Sequence, residues 1–169
     1  MIHGIPGSRG HTLPELIAML GIAATLATAA VPVFSNLILE SRMNAAVATA
    51  MHAVNLARQF SATRSERISL CGSGDTDRCS ETLDWTQGLM LTGEPERFRQ
   101  QLDFSEGSSP RIRSNRSTLE FEAGTGFATP ATLTLCDRRG TRAARAVIVS
   151  RSGRPRTSLR DGSDRELTC

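Results

Sequence analysis

Between Glu15 and Glu40 lies a stretch, residues 16–39, without a single ionisable side chain. The part from Leu16 to Val33 alone would reach roughly 27 Å as an α-helix, close to the hydrocarbon thickness of a bilayer. A segment of that length and character has to be covered by lipid or by other apolar chains. In front of it, Thr12-Leu13-Pro14-Glu15 has the form of a capping box, with Pro in the first helical turn. Ahead of that is a short leader, Met1 to Gly10, with one basic residue, Arg9. Beyond it the helical period persists. Met43, Val47, Ala50, Val54 and Ala57 recur three or four residues apart, while Arg42, Asn44, Thr49, Asn55 and Arg58 fall off that seam. The pattern predicts one long helix, bent but not ended at Pro32 and stopping near Thr63 to Ser65.

From Arg67 the period changes. Ile68 to Leu70, Trp85 to Leu91, Phe98 to Phe104, Arg111 to Arg113, Thr118 to Phe121, Thr132 to Leu135 and Ala146 to Val149 read as short strands. Gly-Glu-Pro-Glu, starting at Gly93, reads as a turn, and Arg138-Arg139-Gly140-Thr141 as the turn of a hairpin. Strand follows strand with no helix between, which predicts antiparallel pairing and an α+β chain. With 39% hydrophobic residues, one Trp, six Phe and no Tyr, the head must pack a mainly aliphatic core.

The order of short leader, Gly10, Thr-Leu-x-Glu15 and apolar helix resembles the N-terminus of type IV pilins and type II secretion pseudopilins. The resemblance implies cleavage by prepilin peptidase between Gly10 and His11, methylation of the new N-terminus, and an assembly role for Glu15. His11 stands where the family usually has Phe, and Pro14 where it usually has an apolar residue. An ordinary secretory signal ending at Ala27-Thr28-Ala29 is the competing reading. Helical periodicity running past Ala29, and an acid at the mouth of the apolar core, argue against it. Trp85-Thr86-Gln87-Gly88, Leu133 to Asp137 and Val147 to Arg154 resemble the GspH/FimT group of minor pilins. The implied fold is the type IV pilin fold: a long N-terminal helix, membrane-spanning in its first half, packed on a C-terminal antiparallel sheet. The implied division is a leader over 1–10, a transmembrane or filament-core helix over 11–35, and a globular head over 36–169. The head comprises an amphipathic helix over 36–64, a β-rich part over 65–150 and a basic tail over 151–169. The implied location is the inner membrane, single-pass, with the head in the periplasm, and incorporation into a pilus or pseudopilus beside other major and minor pilins.

Four cysteines, Cys71, Cys79, Cys136 and Cys169, lie behind this export signal. An even number in an oxidising compartment suggests two disulfides, of three possible connectivities. Cys71 and Cys79 flank a short flexible loop and suit each other, which leaves Cys136 for Cys169. Without a Cys-x-x-Cys pair a zinc site is not expected.

Every basic side chain is Arg, and they are unevenly spread. Residues 137–160 hold eight of them (138, 139, 142, 145, 151, 154, 156 and 160) against one acid, Asp137, whereas the whole chain carries only +3. Such asymmetry suggests a basic end that meets an anion. FimT-like members of the group serve DNA uptake in natural transformation and carry Gly-Arg-x-Arg near the C-terminus; here that is Gly153-Arg154-Pro155-Arg156. Guanidinium forks suit phosphate oxygens, Gly permits a tight turn, and Pro stiffens it. Arg151 and Arg160 flank the motif, and Arg138, Arg139 and Arg142 in the preceding hairpin turn are candidates for the same face. So few aromatics disfavour a stacking platform and favour sequence-independent backbone contact with double-stranded DNA. The alternative is a structural minor pilin, priming a pilus or tipping a type II secretion pseudopilus, without DNA binding. No catalytic motif occurs. His3, His11 and His52 are scattered, Asp75 and Asp77 lack the rest of a calcium ligand set, and neither enzyme activity nor a cofactor or metal is expected.

Overall fold

The computed structural model describes residues 12–74, 79–93, 98–104 and 110–169, with the side chains of 29–33 outside that description. The leader with Gly10 and His11, the Asp75 and Asp77 loop and most of the turn after Gly93 lie outside the described residues. The chain forms two compact units, Met1–Ile38 and Leu39–Cys169.

Helix α1, Leu13–Arg64, opens with the Thr12 carbonyl accepting from the N–H groups of Glu15 and Leu16 at 3.1 and 3.2 Å, and its assignment continues through Pro32. In the first unit Leu13, Leu16, Ile17, Leu20, Ile22 and Leu26 are all exposed. Among the described residues no helix is long and apolar enough to cross a membrane; the apolar run of the sequence continues through positions 29–33.

In the second unit α1 buries Met43, Ala46, Ala50, Ala53, Val54 and Ala57, the expected seam widened by two further alanines, Ala46 and Ala53, with Val47 only half-buried. Four alanines on that stripe let the helix axis approach the strands closely. Nine strands follow among the described residues: β1 Ile68–Ser73, β2 Cys79–Ser80, β3 Leu89–Gly93, β4 Arg99–Leu102, β5 Arg111–Ser114, β6 Thr118–Phe121, β7 Ala131–Cys136, β8 Arg145–Val149 and β9 Pro155–Ser158. They make two antiparallel sheets. In the first the order is β2-β1-β3-β4 with β6 also on β1; in the second it is β5-β7-β8-β9. Ile68, Leu70, Leu89, Leu91, Leu119 and Phe121 of the first sheet and Ile112, Leu133, Leu135, Val147 and Val149 of the second share one core with the helix and Trp85.

Two expectations are corrected. Trp85 to Gly88 is not strand: the Gly88 N–H returns to the Trp85 carbonyl at 3.3 Å, and β3 starts at Leu89. The indole is fully buried against Gly72, where an added Cβ would meet Trp85 Cδ1 at 2.6 Å, so β1 needs a glycine at that point. Second, the tail from 151 is not merely a basic extension. It supplies β9, which pairs Arg156 with Ile148 and Thr157 with Val147.

Candidate nucleic-acid interface

β8 turns into β9 through Ser150–Arg154. Gly153 donates its N–H to the Ser150 carbonyl at 2.9 Å, and Ser150 donates to the Arg154 carbonyl at 3.1 Å. Gly153 has φ of 71°, a left-handed conformation that L side chains resist. Its surroundings make the same demand: an added Cβ would lie 2.2 Å from the Gly126 carbonyl oxygen and 3.0 Å from Arg58 Cδ. The turn is fastened from two further sides. Arg58 on α1 donates Nε–H to the Ser152 carbonyl at 3.1 Å, and Ala128 donates its N–H to the Arg151 carbonyl at 2.9 Å.

Past the turn, antiparallel pairs alternate between bonded and unbonded. Since Ser150 and Arg154 are bonded, the Val149–Pro155 pair is not, and Pro loses no ladder bond there. Arg156 opposes Ile148, whose side chain belongs to the outer cluster with Ala144, Ala146 and Leu167. Arg154, two residues earlier, projects to the same side of an extended chain. Arg151, Arg154 and Arg156 are exposed and form no ion pair among the described residues.

The other candidate arginines lie elsewhere. The hairpin between β7 and β8 begins at Asp137, at the far end of β8 from the Ser150 turn, because successive antiparallel turns fall on opposite ends of their shared strand. β8 has five residues, which separates the turns by roughly 14 Å. Arg138, Arg139 and Arg142 therefore do not adjoin the motif, contrary to the expectation of a shared face. Arg138 and Arg142 are exposed there. Arg139 is occupied: it meets Asp137 Oδ2 at 2.7 Å and Glu40 Oε2 at 2.8 Å, and Arg145 adds a contact to Glu40 Oε1 at 3.2 Å. The Asp137 and Glu40 hydrogen bonds push Arg139 further above its usual range. The Arg139 hydrogen bond, opposed by burial and helped by the charge of Arg145, holds Glu40 below the ordinary carboxylate value. Burial alone would push Asp137 up, but the Arg139 hydrogen bonds and charge outweigh it and leave it lowered. Arg160 donates Nη1–H to the Asp164 carbonyl at 2.8 Å.

Disulfides join Cys71 to Cys79 and Cys136 to Cys169. The second carries the C-terminal segment back over the outer side of β7 and β8, where Leu167 packs on Ala146 and Ile148. A groove of about 800 Å³ runs beside that segment, and its Arg113 and Arg165 are balanced by Asp161 and Glu166. Arg151, Arg154 and Arg156 of the β8–β9 connection have no such balancing acid among the described residues.

Sequence reasoning missed Arg58, which braces the turn from the helix, and Phe127, which neighbours it. Two glycines, Gly126 and Gly153, both at positive φ, were the only signal that two turns meet there.

A long helix laid along antiparallel sheets is the architecture of a type IV pilin. Residues 46–153 match the family described as Type II transport protein GspH. This chain belongs to that family and is a GspH/FimT-like minor pilin. The crystal structure of the Pseudomonas aeruginosa type IV minor pilin FimU in one crystal form is similar with a TM-score of 0.55 at 18% identity, covering 76% of this chain and 96% of that one. A second crystal form of FimU aligns at a TM-score of 0.46 and 19% identity, over 65% of this chain and 86% of that one. At such identities the likeness concerns the fold. No curated protein matches the chain.

Proposed function

We propose that this minor pilin binds double-stranded DNA without sequence preference through Arg151, Arg154 and Arg156, and supports DNA uptake in natural transformation. The observation that carries the reading is a turn locked by Arg58, Gly126 and Ala128 that holds these three side chains in solvent without carboxylate partners. Rigid presentation lowers the entropy lost on binding, and guanidinium groups bind phosphate oxygens in pairs. In this reading the leader is removed between Gly10 and His11 by prepilin peptidase. The exposed apolar side chains of the first unit anchor the protein in the inner membrane and later pack in the filament, where Glu15 pairs with a neighbouring N-terminus. The head is periplasmic, consistent with two disulfides.

The test is a binding isotherm of the membrane-extracted full chain on duplex DNA at several salt concentrations. Its mature N-terminus, read from the same preparation, begins at His11. If Arg154 and Arg156 each neutralise one phosphate, the double change to Gln lowers the log–log salt slope by about 1.8 and reduces transformation while pili still assemble. Unchanged affinity and slope would overturn the reading. A second reading, a structural subunit that primes or tips a filament without touching DNA, is favoured by the Glu40 and Asp137 contacts that use Arg139 and Arg145 to hold the head together.

A further inference from the structure

We propose that Phe127 is a stacking residue of this same DNA surface, so that the site also takes unpaired bases, at a frayed end or in a single strand, beside its phosphate contacts to the duplex. The inference rests on the DNA-binding reading and widens the forms of DNA that the site takes. Phe127 is flanked by two of the contacts that hold the arginine turn: Gly126, whose carbonyl oxygen occupies the space beside Gly153, and Ala128, which donates its N–H to the Arg151 carbonyl at 2.9 Å. Its own backbone is fixed on both sides. The Phe127 carbonyl accepts from Glu122 N–H at 2.7 Å, and its N–H donates to Thr125 Oγ1 at 3.2 Å. Gly126 and Ala128 are buried, yet the ring between them is 48% exposed.

The other described phenylalanines of the second unit are engaged. Phe104 and Phe121 are buried, and Phe60 and Phe98 pack edge to face at 4.8 Å beneath Arg64. An open ring on a fixed backbone, one residue from the Ala128–Arg151 hydrogen bond, therefore stands out as a partner for a flat apolar surface that arrives with phosphates. A nucleobase is such a surface, and every base has a π-face, so the contact needs no sequence. In a closed duplex the base faces are stacked on one another and out of the ring's reach. The one acid in this loop, Glu122, has its Oε2 at 3.5 Å from the Thr125 hydroxyl.

The experiment compares wild type, Phe127→Ala, Phe127→Leu and Arg154→Gln/Arg156→Gln, each as the full chain in detergent. The probes are a thymine oligonucleotide and a blunt hairpin duplex of equal phosphate number, titrated at two salt concentrations. The expected result is about a tenfold loss of single-strand affinity in Phe127→Ala, a smaller loss in Phe127→Leu, unchanged salt slope in both, and little change for the hairpin. Melting temperatures stay level, because the ring is half exposed. If Phe127→Ala binds both probes as wild type does while the arginine variant loses both, the stacking role is overturned and the DNA reading stands. If wild type binds neither probe, the DNA reading itself fails.

Discussion

Gly153 shows how much of this surface depends on one residue without a side chain. Its positive φ and the Gly126 carbonyl oxygen at 2.2 Å from any added Cβ are separate demands. Replacing it with Ala forces the backbones of 126 and 153 apart and strains the turn, at a cost of about 2 kcal/mol. Arg154 and Arg156 remain in the chain but lose their fixed setting. The expected outcome for Gly153→Ala is a lower melting temperature together with weaker DNA binding, measured by thermal denaturation and by the salt-titrated isotherm. In contrast, Arg154→Gln/Arg156→Gln weakens binding with the melting temperature unchanged. A Gly153→Ala variant as stable as wild type would mean that the turn tolerates the displacement.

At the scale of elements, α1 grips the second sheet at two points. Glu40 holds the β7–β8 hairpin through Arg139 and Arg145, and Arg58 holds the β8–β9 turn through Ser152. The two points are roughly 27 Å apart along the helix. The first grip titrates. Glu40 and Asp137 have folded-state values below their ordinary 4.5 and 3.8. Carboxylates with depressed values contribute stability that is complete above the unfolded value and is lost as pH falls through the folded one. Glu40→Gln is therefore expected to cost about 1 kcal/mol at neutral pH, since Glu40 is 36% exposed and solvent screens the pair. The variant's melting temperature should also fall less steeply than wild type's on acidification below about pH 4. Parallel slopes in the two proteins would show that Glu40 is not the titrating group. Much of this element plan was readable in advance. The helical seam is a long stripe, and β6 occupies the four residues expected, because its alternation of Leu119 and Phe121 with Thr118 and Glu120 matches one buried face. β9 was not readable: Pro-Arg-Thr-Ser has no apolar face, being an edge strand whose outward side chains meet solvent. Trp85 to Gly88 misled for the opposite reason, since an apolar residue that anchors a turn resembles one that anchors a strand. The mismatch of the two arginine clusters needed the register of β8, which no local pattern contains.

Across the whole molecule, charge is compartmented more finely than composition implies. Of the eight arginines between 137 and 160, Arg139 and Arg145 neutralise Glu40 and Asp137, and Arg160 is tied to Asp164. The arginines left without carboxylate partners fall at opposite ends of β8. The Cys136–Cys169 bridge encloses β8, the arginine turn and β9 within a single covalent ring of the chain. Arginine-rich exposed turns are cutting sites for trypsin-like enzymes. A cut after Arg151 leaves the C-terminal piece both β-paired and covalently held, so the molecule survives as a nicked whole, while the Arg154–Pro155 bond resists such enzymes. After brief trypsin treatment, the intact mass, plus one water, is expected under non-reducing conditions, and two fragments after reduction. Loss of the C-terminal piece without reductant would contradict this. The enclosed ring thus converts a vulnerable loop into one whose breakage need not end its service.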